Sequence, residues 1–271
     1  MLVIKNNLMA ENSARHLGRN YDALAKSVER LSSGLRINSA KDDAAGLAVR
    51  ELVRADIAVL KQGSRNVADG ISLLQTMEGA MATIDDALIR MKELAEQAST
   101  GSYSSSQRTI MNSEFQQMAA EITRIANDTK FNSIHLLDSA SSSNNANIHF
   151  DVGASIAISS VNITASALGI ASSLLTTASN AQNALNAVTT AITRKDSARA
   201  SFGYMMNRLE STNAVLNIQA ENLMNSESRI SDVDVATEMA LLTRNQVLSQ
   251  AGISMLAQAN TMPQMALNLL R

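Results

Sequence analysis

The chain has 271 residues, with 23 Lys and Arg against 25 Asp and Glu and a formal net charge of −2, so it carries no basic footprint for nucleic acid. It has one proline (Pro263), no tryptophan, no cysteine and only 3% aromatics. This excludes disulfide stapling and cysteine-based metal or thiol chemistry, and it argues against a large globular core, which normally draws much of its buried area from aromatic rings. Ala, Leu, Ile, Val and Met must do the packing, and a single proline leaves nearly the whole chain free to be helix. The apolar stretch Leu2-Val3-Ile4 is too short for a secretory signal core, and no uninterrupted apolar run approaches membrane-spanning length.

From Ala10 the apolar residues step through Ala14, Leu17, Tyr21, Leu24, Val28 and Leu31, alternating fours and threes. Heptad spacing of this kind predicts a helix whose seam must meet a partner helix. The rhythm stops over residues 31–48. Ser32, Ser33 and Gly34 predict a helix C-terminus, because glycine tolerates the left-handed cap. Ser39 followed by Asp42 predicts the next N-terminus, a hydroxyl cap with acid in the first turn. Between them Arg36, Lys41, Asp42 and Asp43 crowd both signs of charge, as in a polar loop between two helices.

The seam resumes at Val49, Val53, Ile57, Leu60, Ser64, Val67, Ile71 and Leu74. It slips phase near Leu74, then runs Met77, Met81, Ile84, Leu88, Met91, Ala95 and Ala98. As one helix, residues 45–98 would span about 80 Å, a rod rather than a globule-builder. Residues 99–106 read as a turn, and Met111, Phe115, Met118, Ile122 and Ile125 predict a helix over 106–129.

Around Phe131 the period changes. Residues 131–137, 147–152 and 155–163 are short and lean towards β-branched side chains, with partial alternation through His149, Asp151, Ile156, Ile158 and Val161. They predict two or three short strands within 131–163, separated by a Ser/Asn loop at 139–147 and by Gly153. Residues 164–180 carry no decisive period. Helix returns over 181–225 through Leu185, Val188, Ile192, Phe202, Met206, Leu209, Asn213, Leu216, Ala220 and Leu223. Residues 226–234 form a second interruption, with Asp234 available to cap a last helix that carries the seven-residue ladder Leu241, Leu248, Met255, Met262 and Leu269.

This order is nearly palindromic, and folding the chain back at the strands buries every seam. The expected fold is therefore mainly α: long antiparallel, coiled-coil-like helices folded back on themselves, with a small β-hairpin or short-strand region at the centre of the chain. No catalytic or cofactor constellation is predicted. His16, His135 and His149 lack metal-ligand spacing, Asp42-Asp43 and Asp85-Asp86 suit capping or solvation, and there is no phosphate-binding glycine loop. From Asn245 to Leu270 there is no charged side chain, yet Asn, Gln and Ser recur. A surface of that kind suits packing against copies of itself, where amides pair and no charge is desolvated; an ordinary amphipathic helix in a monomer's core is the other reading.

The run Glu29-Arg30-Leu31-Ser32-Ser33-Gly34-Leu35-Arg36-Ile37-Asn38-Ser39-Ala40-Lys41-Asp42-Asp43-Ala44-Ala45-Gly46 resembles the signature of bacterial flagellin, the subunit of the flagellar filament. The resemblance continues through Ser64-Arg65-Asn66-Val67-Ala68-Asp69-Gly70-Ile71 and from Met239 to Arg271, including Gln258-Ala259-Asn260 and Pro263-Gln264. It implies an inner domain of both ends, residues 1–44 with 232–271, joined by a spoke at 32–44 to a rod domain at 45–231. That rod would hold long helices at 45–98, 106–129 and 181–225 with the strands at 131–163. Arg30, Gly34, Arg36, Lys41, Asp42 and Asp43 would build the spoke.

The resemblance further implies a structural protein without enzymatic activity or cofactor. It would leave the cell unfolded by the flagellar type III route and polymerise with itself into the extracellular filament used for motility. Leu17, Tyr21, Leu24, Val28 and Leu31, with Leu241, Leu248, Met255, Met262 and Leu269, would carry self-assembly. Flagellar junction and cap proteins and an export chaperone would be further partners, with neither nucleic acid nor a membrane interior among them. Leu88-Ile89-Arg90-Met91-Lys92-Glu93-Leu94-Ala95 resembles the surface by which many flagellins engage the vertebrate Toll-like flagellin receptor, so Arg90, Leu94 and Glu114 are implied contacts. The large outer domains that many members insert after the strands have no room here. Two other readings share these features: a hook–filament junction protein, and a secreted monomeric receptor ligand or adhesin.

Overall fold

The computed structural model describes residues 6–138 and 146–269. In chain order the elements are α1 (Leu8–Ser33), α2 (Ala44–Ser99), α3 (Ser105–Asp128), β1 (Lys130–Phe131), β2 (Ile134–His135), β3 (Ala146–Asp151), β4 (Ala154–Ile158), α4 (Ala165–Leu168), α5 (Ala178–Ser231) and α6 (Val235–Leu269). The architecture is the expected one: long packed helices with two small antiparallel hairpins in the middle of the chain. Of the Ser/Asn loop expected at 139–147, residues 139–145 lie outside the described residues, and 146–147 belong to β3. The chain forms two compact units, Met1–Ile57 with Glu221–Arg271, and Ala58–Ala220.

In the second unit the four-three rhythm becomes burial. Val67, Leu74, Met77, Met81, Ile84, Leu88, Met91, Ala95 and Ala98 of α2 are all fully enclosed, as are Phe115, Ile122 and Ala126 of α3. Helix α3 starts where a capping box can form: the Ser104 hydroxyl accepts from the Gln107 amide, and the Gln107 side chain accepts from the Ser104 amide. The phase slip of α2 sits earlier than the apolar pattern suggests. Gly63 and Gly70 occupy the buried face, not Ser64 and Ile71. The reason is the hairpin β3–β4. A Cβ on Gly63 would overlap the Phe150 carbonyl oxygen, and one on Gly70 would stand 2.9 Å from Ile148 Cγ1. These two glycines let a β-hairpin lie directly on a helix, and the Asn66 side-chain amide donates to the His149 carbonyl at 2.8 Å.

The strands are paired more economically than the sequence suggests. Asn132 and Ser133, at φ 48° and 66°, make the two-residue turn of β1–β2. Hairpin β3–β4 sets Ile148 opposite Ile156, with an irregularity between His149 and Asp151. Strand character ends at Ile158. Beyond it the backbone amides of Val161 and Ile163 bond to the carbonyls of Leu136 and Leu137. Residues 164–177, unreadable as sequence, are a strap. Asn112 accepts from the Leu175 amide at 2.8 Å, Gln116 donates to the Ser173 carbonyl at 2.6 Å, and Arg194 donates to the Ala167 carbonyl at 2.9 Å. Its own Leu168, Ile170 and Leu175 are buried. A mostly irregular segment held by side-chain hydrogen bonds needs no apolar period.

Helix α5 faces inward through Ala184, Val188, Ala191, Ala198, Phe202, Leu209, Leu216 and Ala220, while Leu185, Ile192 and Met206 stand half-buried beside that line. The gap between Ile192 and Phe202 in the apolar pattern is filled by Lys195, only 2% exposed. Its ammonium contacts Asp196 Oδ1 at 2.8 Å and Asp85 Oδ1 at 2.5 Å. Burial pushes the Lys195 pKa down, but the bonds from Asp196 and Asp85 outweigh it and leave it raised, so the side chain stays charged. Arg199 pairs with Glu78 and lies 3.9 Å from Asp85, extending this ionic cluster between α2 and α5.

Two glycines of α2 make opposite predictions. Gly63→Ala forces its Cβ into hairpin backbone and should cost about 1–3 kcal/mol, lowering the melting temperature and the exchange protection of Ile148 and Ile156. Gly79 has nothing within 4 Å of its would-be Cβ. Gly79→Ala should therefore stabilise by about 0.5–1 kcal/mol through helix propensity alone. Calorimetry and hydrogen exchange on the two variants check both signs.

Candidate functional site

The first unit pairs the two ends of the chain. Helices α1 and α6 run antiparallel. Asn7 donates to the Ala259 carbonyl at 2.8 Å, Leu17 meets Gly252, and Arg30 faces Glu238 at 3.4 Å. A Cβ on Gly252 would stand 3.1 Å from Leu17 Cδ1, so the helices approach as closely as that glycine permits. Among the described side chains of α6 the least exposed are Glu238, Ser249 and Ala259, with Leu242, Asn245, Gly252 and Leu256 half-buried between them. They follow a four-three rhythm in which two leucines are interspersed with small and polar side chains. The sequence reading missed this seam because most of its members are small or polar rather than hydrophobic.

The consequence is that the ladder of large residues faces outward. Leu248 and Met255 are 45% and 64% exposed, while Leu241 and Met262 are half-buried. The side chain of Leu269 lies outside the described residues. On α1 the seam divides. Leu17, Leu24 and Leu31, seven apart, are half-buried with Ser27 between them, whereas Tyr21 and Val28 form a second stripe, 46% and 50% exposed. Val235, Met239, Val247 and Ile253 are exposed as well. Helix α6 thus carries large apolar residues around most of its girth and, after Arg244, no charge to solvate them.

The interruption after α1 is an ordered linker. Gly34 takes the left-handed cap at φ 72°, its amide bonded to the Arg30 carbonyl at 2.9 Å. Residues 34–36 then pair with 231–233. The Val233 amide donates to the Gly34 carbonyl at 3.1 Å, the Arg36 amide to the Ser231 carbonyl at 2.6 Å, and the Arg36 guanidinium to the Ile230 carbonyl. The two interruptions, far apart in sequence, are therefore two strands of one link. Asp234 caps α6, accepting from the Thr237 hydroxyl and from the amides of Thr237 and Ala236, bonds that lower its pKa.

Helix α2 begins a turn later than Ser39 suggests. Asp43 is the cap, accepting from the Gly46 amide at 2.8 Å, and a Cβ on Gly46 would collide with that carboxylate and with Ile37. Ser39 and Asp42 instead build the turn before it: Asp42 Oδ2 accepts from the amides of Asn38 and Ser39 and from the Ser39 hydroxyl. Lys26 on α1 reaches Asp42 Oδ1 at 2.7 Å. The Lys26 hydrogen bond, with those from the Ser39 and Asn38 amides, holds the Asp42 carboxyl at about 2, well below the usual 3.8. Arg50, buried, donates to the Ile37 carbonyl at 2.8 Å and pairs with Glu51. Lys41 is exposed. Lys26, Ile37, Gly46 and Arg50 thus join the linker residues read from sequence; their roles come from contacts across helix ends that no local spacing reports.

Of the residues implied on the second unit, Arg90 and Glu114 are brought together. Arg90 lies 2.8 Å from Glu114 and 3.0 Å from Glu93, and these bonds raise its pKa. Leu94, 2% exposed, is core. His135 has a carboxylate partner that the sequence reading did not find, Asp138 at 3.1 Å, and its Nδ1 also lies 2.9 Å from the Asn127 carbonyl. Among the described residues no group of three or more His, Cys, Asp or Glu side chains could hold a metal ion, and no helix is long and apolar enough to cross a membrane.

Comparison with known proteins gives a family. Residues 4–142 match the family model of the bacterial flagellin N-terminal helical region, and residues 185–270 match that of the C-terminal helical region. The chain is 43% identical over 276 residues to flagellin from Halalkalibacterium halodurans, covering 100% of each chain. It is 40% identical over 302 residues to flagellin from Bacillus subtilis, covering 99% of each. Its structure is similar to the crystal structure of Bacillus cereus flagellin, with TM-score 0.50, 28% identity, 56% of this chain covered and 88% of that one.

The depressed Asp42 carboxyl sets a pH window for the linker. Its folded value lies below its ordinary one, so its stabilisation is complete above about pH 4 and is lost as the pH falls through about 2. Lys26→Ala should move the titration midpoint of the Asn38 and Ser39 amide resonances upward, towards the ordinary carboxylate value. A midpoint unmoved by that change would assign the depression to the backbone bonds alone.

Proposed function

Because the chain belongs to the bacterial flagellin family and is a structural subunit of the flagellar filament, we propose that it polymerises through the outward faces of its paired terminal helices. One observation carries this reading. The α1–α6 pair closes over half-buried leucines with small and polar residues between them, and leaves Tyr21, Val28, Leu248 and Met255 exposed, beside a stretch without charge. Burying a side chain of that size against a neighbouring copy stabilises by roughly 1.5–3 kcal/mol. The uncharged amides of α6 can be desolvated in pairs, whereas a charged face would resist it. Leu17, Leu24, Leu31, Leu241 and Met262 support the same contacts from within the pair.

In this reading residues 1–44 and 232–271 form the inner domain and residues 45–231 the next, with the linker at 32–44 as the spoke between them. The doubled backbone of residues 34–36 and 231–233 supports that role, since two bonded strands transmit load better than one. The subunit is a short form: only residues 159–177 separate β4 from α5. It works outside the cell as part of the flagellum. It leaves unfolded by the flagellar type III route with an export chaperone, and it meets junction and cap proteins at the filament ends. No catalytic role is assigned to it. Its identity to filament flagellins over essentially the full chain favours this reading over a hook–filament junction protein or a monomeric secreted ligand. Arg90 with Glu114 supports a charged patch for the vertebrate Toll-like receptor; Leu94, being buried, adds backing and no contact area.

Seeded polymerisation followed by light scattering and electron microscopy tests the assembly face. Leu248→Arg with Met255→Arg should keep the monomer's helical circular dichroism, since both positions are exposed. An unpaired charge at the contact should reduce filament growth by about a hundredfold or more. Normal growth of that variant would move the assembly face elsewhere.

A further inference from the structure

The methionines divide sharply between the two units. Those of residues 58–220 are all buried or half-buried, with Met77, Met81 and Met91 fully enclosed. The exposed ones among the described residues, Met9, Met224, Met239, Met255 and Met265, all lie in the unit built from the chain ends. Met9 and Met255, with half-buried Met262, line one cavity between α1 and α6 beside His16. A thioether reacts with a hydroperoxide only where the oxidant can reach the sulfur, and there is no cysteine to intercept it first.

We propose that these terminal-helix methionines are an oxidation site that gates assembly. In the free subunit a sulfur lone pair attacks one oxygen of the hydroperoxide and the O–O bond breaks. The sulfur is oxidised by two electrons to the sulfoxide, and the hydroperoxide is reduced to water or the corresponding alcohol. The product places a polar, chiral S=O group where an apolar, pliable side chain must pack. Each sulfoxide forced into the contact weakens it by about tenfold or more. The change is reversible by methionine sulfoxide reductases, and a subunit already packed in a filament is shielded because its sulfurs are covered. The second unit keeps its fold throughout, since Met77, Met81 and Met91 of its core are fully enclosed and none of its methionines is exposed. This inference rests on the assembly reading above and adds a chemical control to the same surface.

The test uses the full chain and hydrogen peroxide. Peptide mass spectrometry of the treated monomer should show sulfoxide at Met9, Met239, Met255 and Met265 forming at least about tenfold faster than at Met77, Met81 and Met91. Seeded growth should fall at least about tenfold and return after treatment with the two sulfoxide reductases. Preformed filaments should gain oxygen at the terminal positions far more slowly than monomer. The combined variant Met9→Leu, Met239→Leu, Met255→Leu and Met265→Leu should grow after peroxide as it does before. Oxidised monomer that elongates seeds at the untreated rate overturns the gate, as does a leucine variant that peroxide still stops. Untreated monomer that cannot elongate seeds overturns the assembly reading beneath it, a separate failure visible before any peroxide is added.

Discussion

The close approach of α1 to α6 governs the rest of the terminal unit. Gly252 against Leu17, with Ser27, Ser249 and Ala259 along the same line, brings the two backbones together at small side chains, while Leu24, Leu31, Leu242 and Leu256 are only half-buried beside them. Two helices that meet this way enclose little apolar area completely, and large side chains on their flanks remain outside. End contacts add to the packing, Asn7 to Ala259 at one extremity and Arg30 to Glu238 at the other. A two-helix pair of this kind is marginal by itself, because most helical stability in water comes from packing an apolar face. Tyr21, Val28, Leu248 and Met255 stay exposed and contribute little to it.

The second unit solves the opposite problem. Its seams are filled by methionine, leucine, isoleucine and alanine that reach full burial within one chain. The ionic cluster of Lys195 with Asp85 and Asp196, next to Arg199 and Glu78, stands between α2 and α5 where slippage by one heptad would otherwise be cheap. A slipped register would strand a buried ammonium away from its carboxylates, which costs far more than exchanging one leucine for another. Hairpin β3–β4, seated on Gly63 and Gly70, marks α2 a second time. One unit therefore buries its large apolar residues within one chain and the other leaves several of them exposed, a division suited to a subunit that keeps part of its surface for assembly.

Between interruption and helix the structure turns sequence patterns into pairings. Residues 31–48 and 226–234 each read as a polar break, but helix runs further than composition suggests: α5 continues through residues 226–231, so the second break is only residues 232–234, and the first is only 34–43. That the two breaks bond to each other through residues 34–36 and 231–233 is a tertiary fact. Gly34 and Asp234 were legible as caps because capping is local chemistry. The cap of α2 lies at Asp43, later than Ser39, since Ser39 and Asp42 satisfy the same local rule but instead form a turn through Asp42's bonds to the Asn38 and Ser39 amides, tied to α1 by Lys26. Likewise Ser64 and Ile71 fit the apolar rhythm of α2 better than Gly63 and Gly70 do. The glycines won because backbone from residues 148–150 needed their space.

What the amino-acid sequence by itself determined was helix, period and composition: where helices run, where they stop, that the centre changes to strands, and that the last stretch has no charge. These follow from local propensity and spacing, which act within a turn or two of chain. Only the tertiary structure decided which of two adjacent stripes on α1 and α6 turns inward, because both satisfy the heptad and the choice depends on how closely two backbones can approach. On α6 it turned inward the stripe that carries Ser249, Gly252 and Ala259, and so left Leu248 and Met255 exposed.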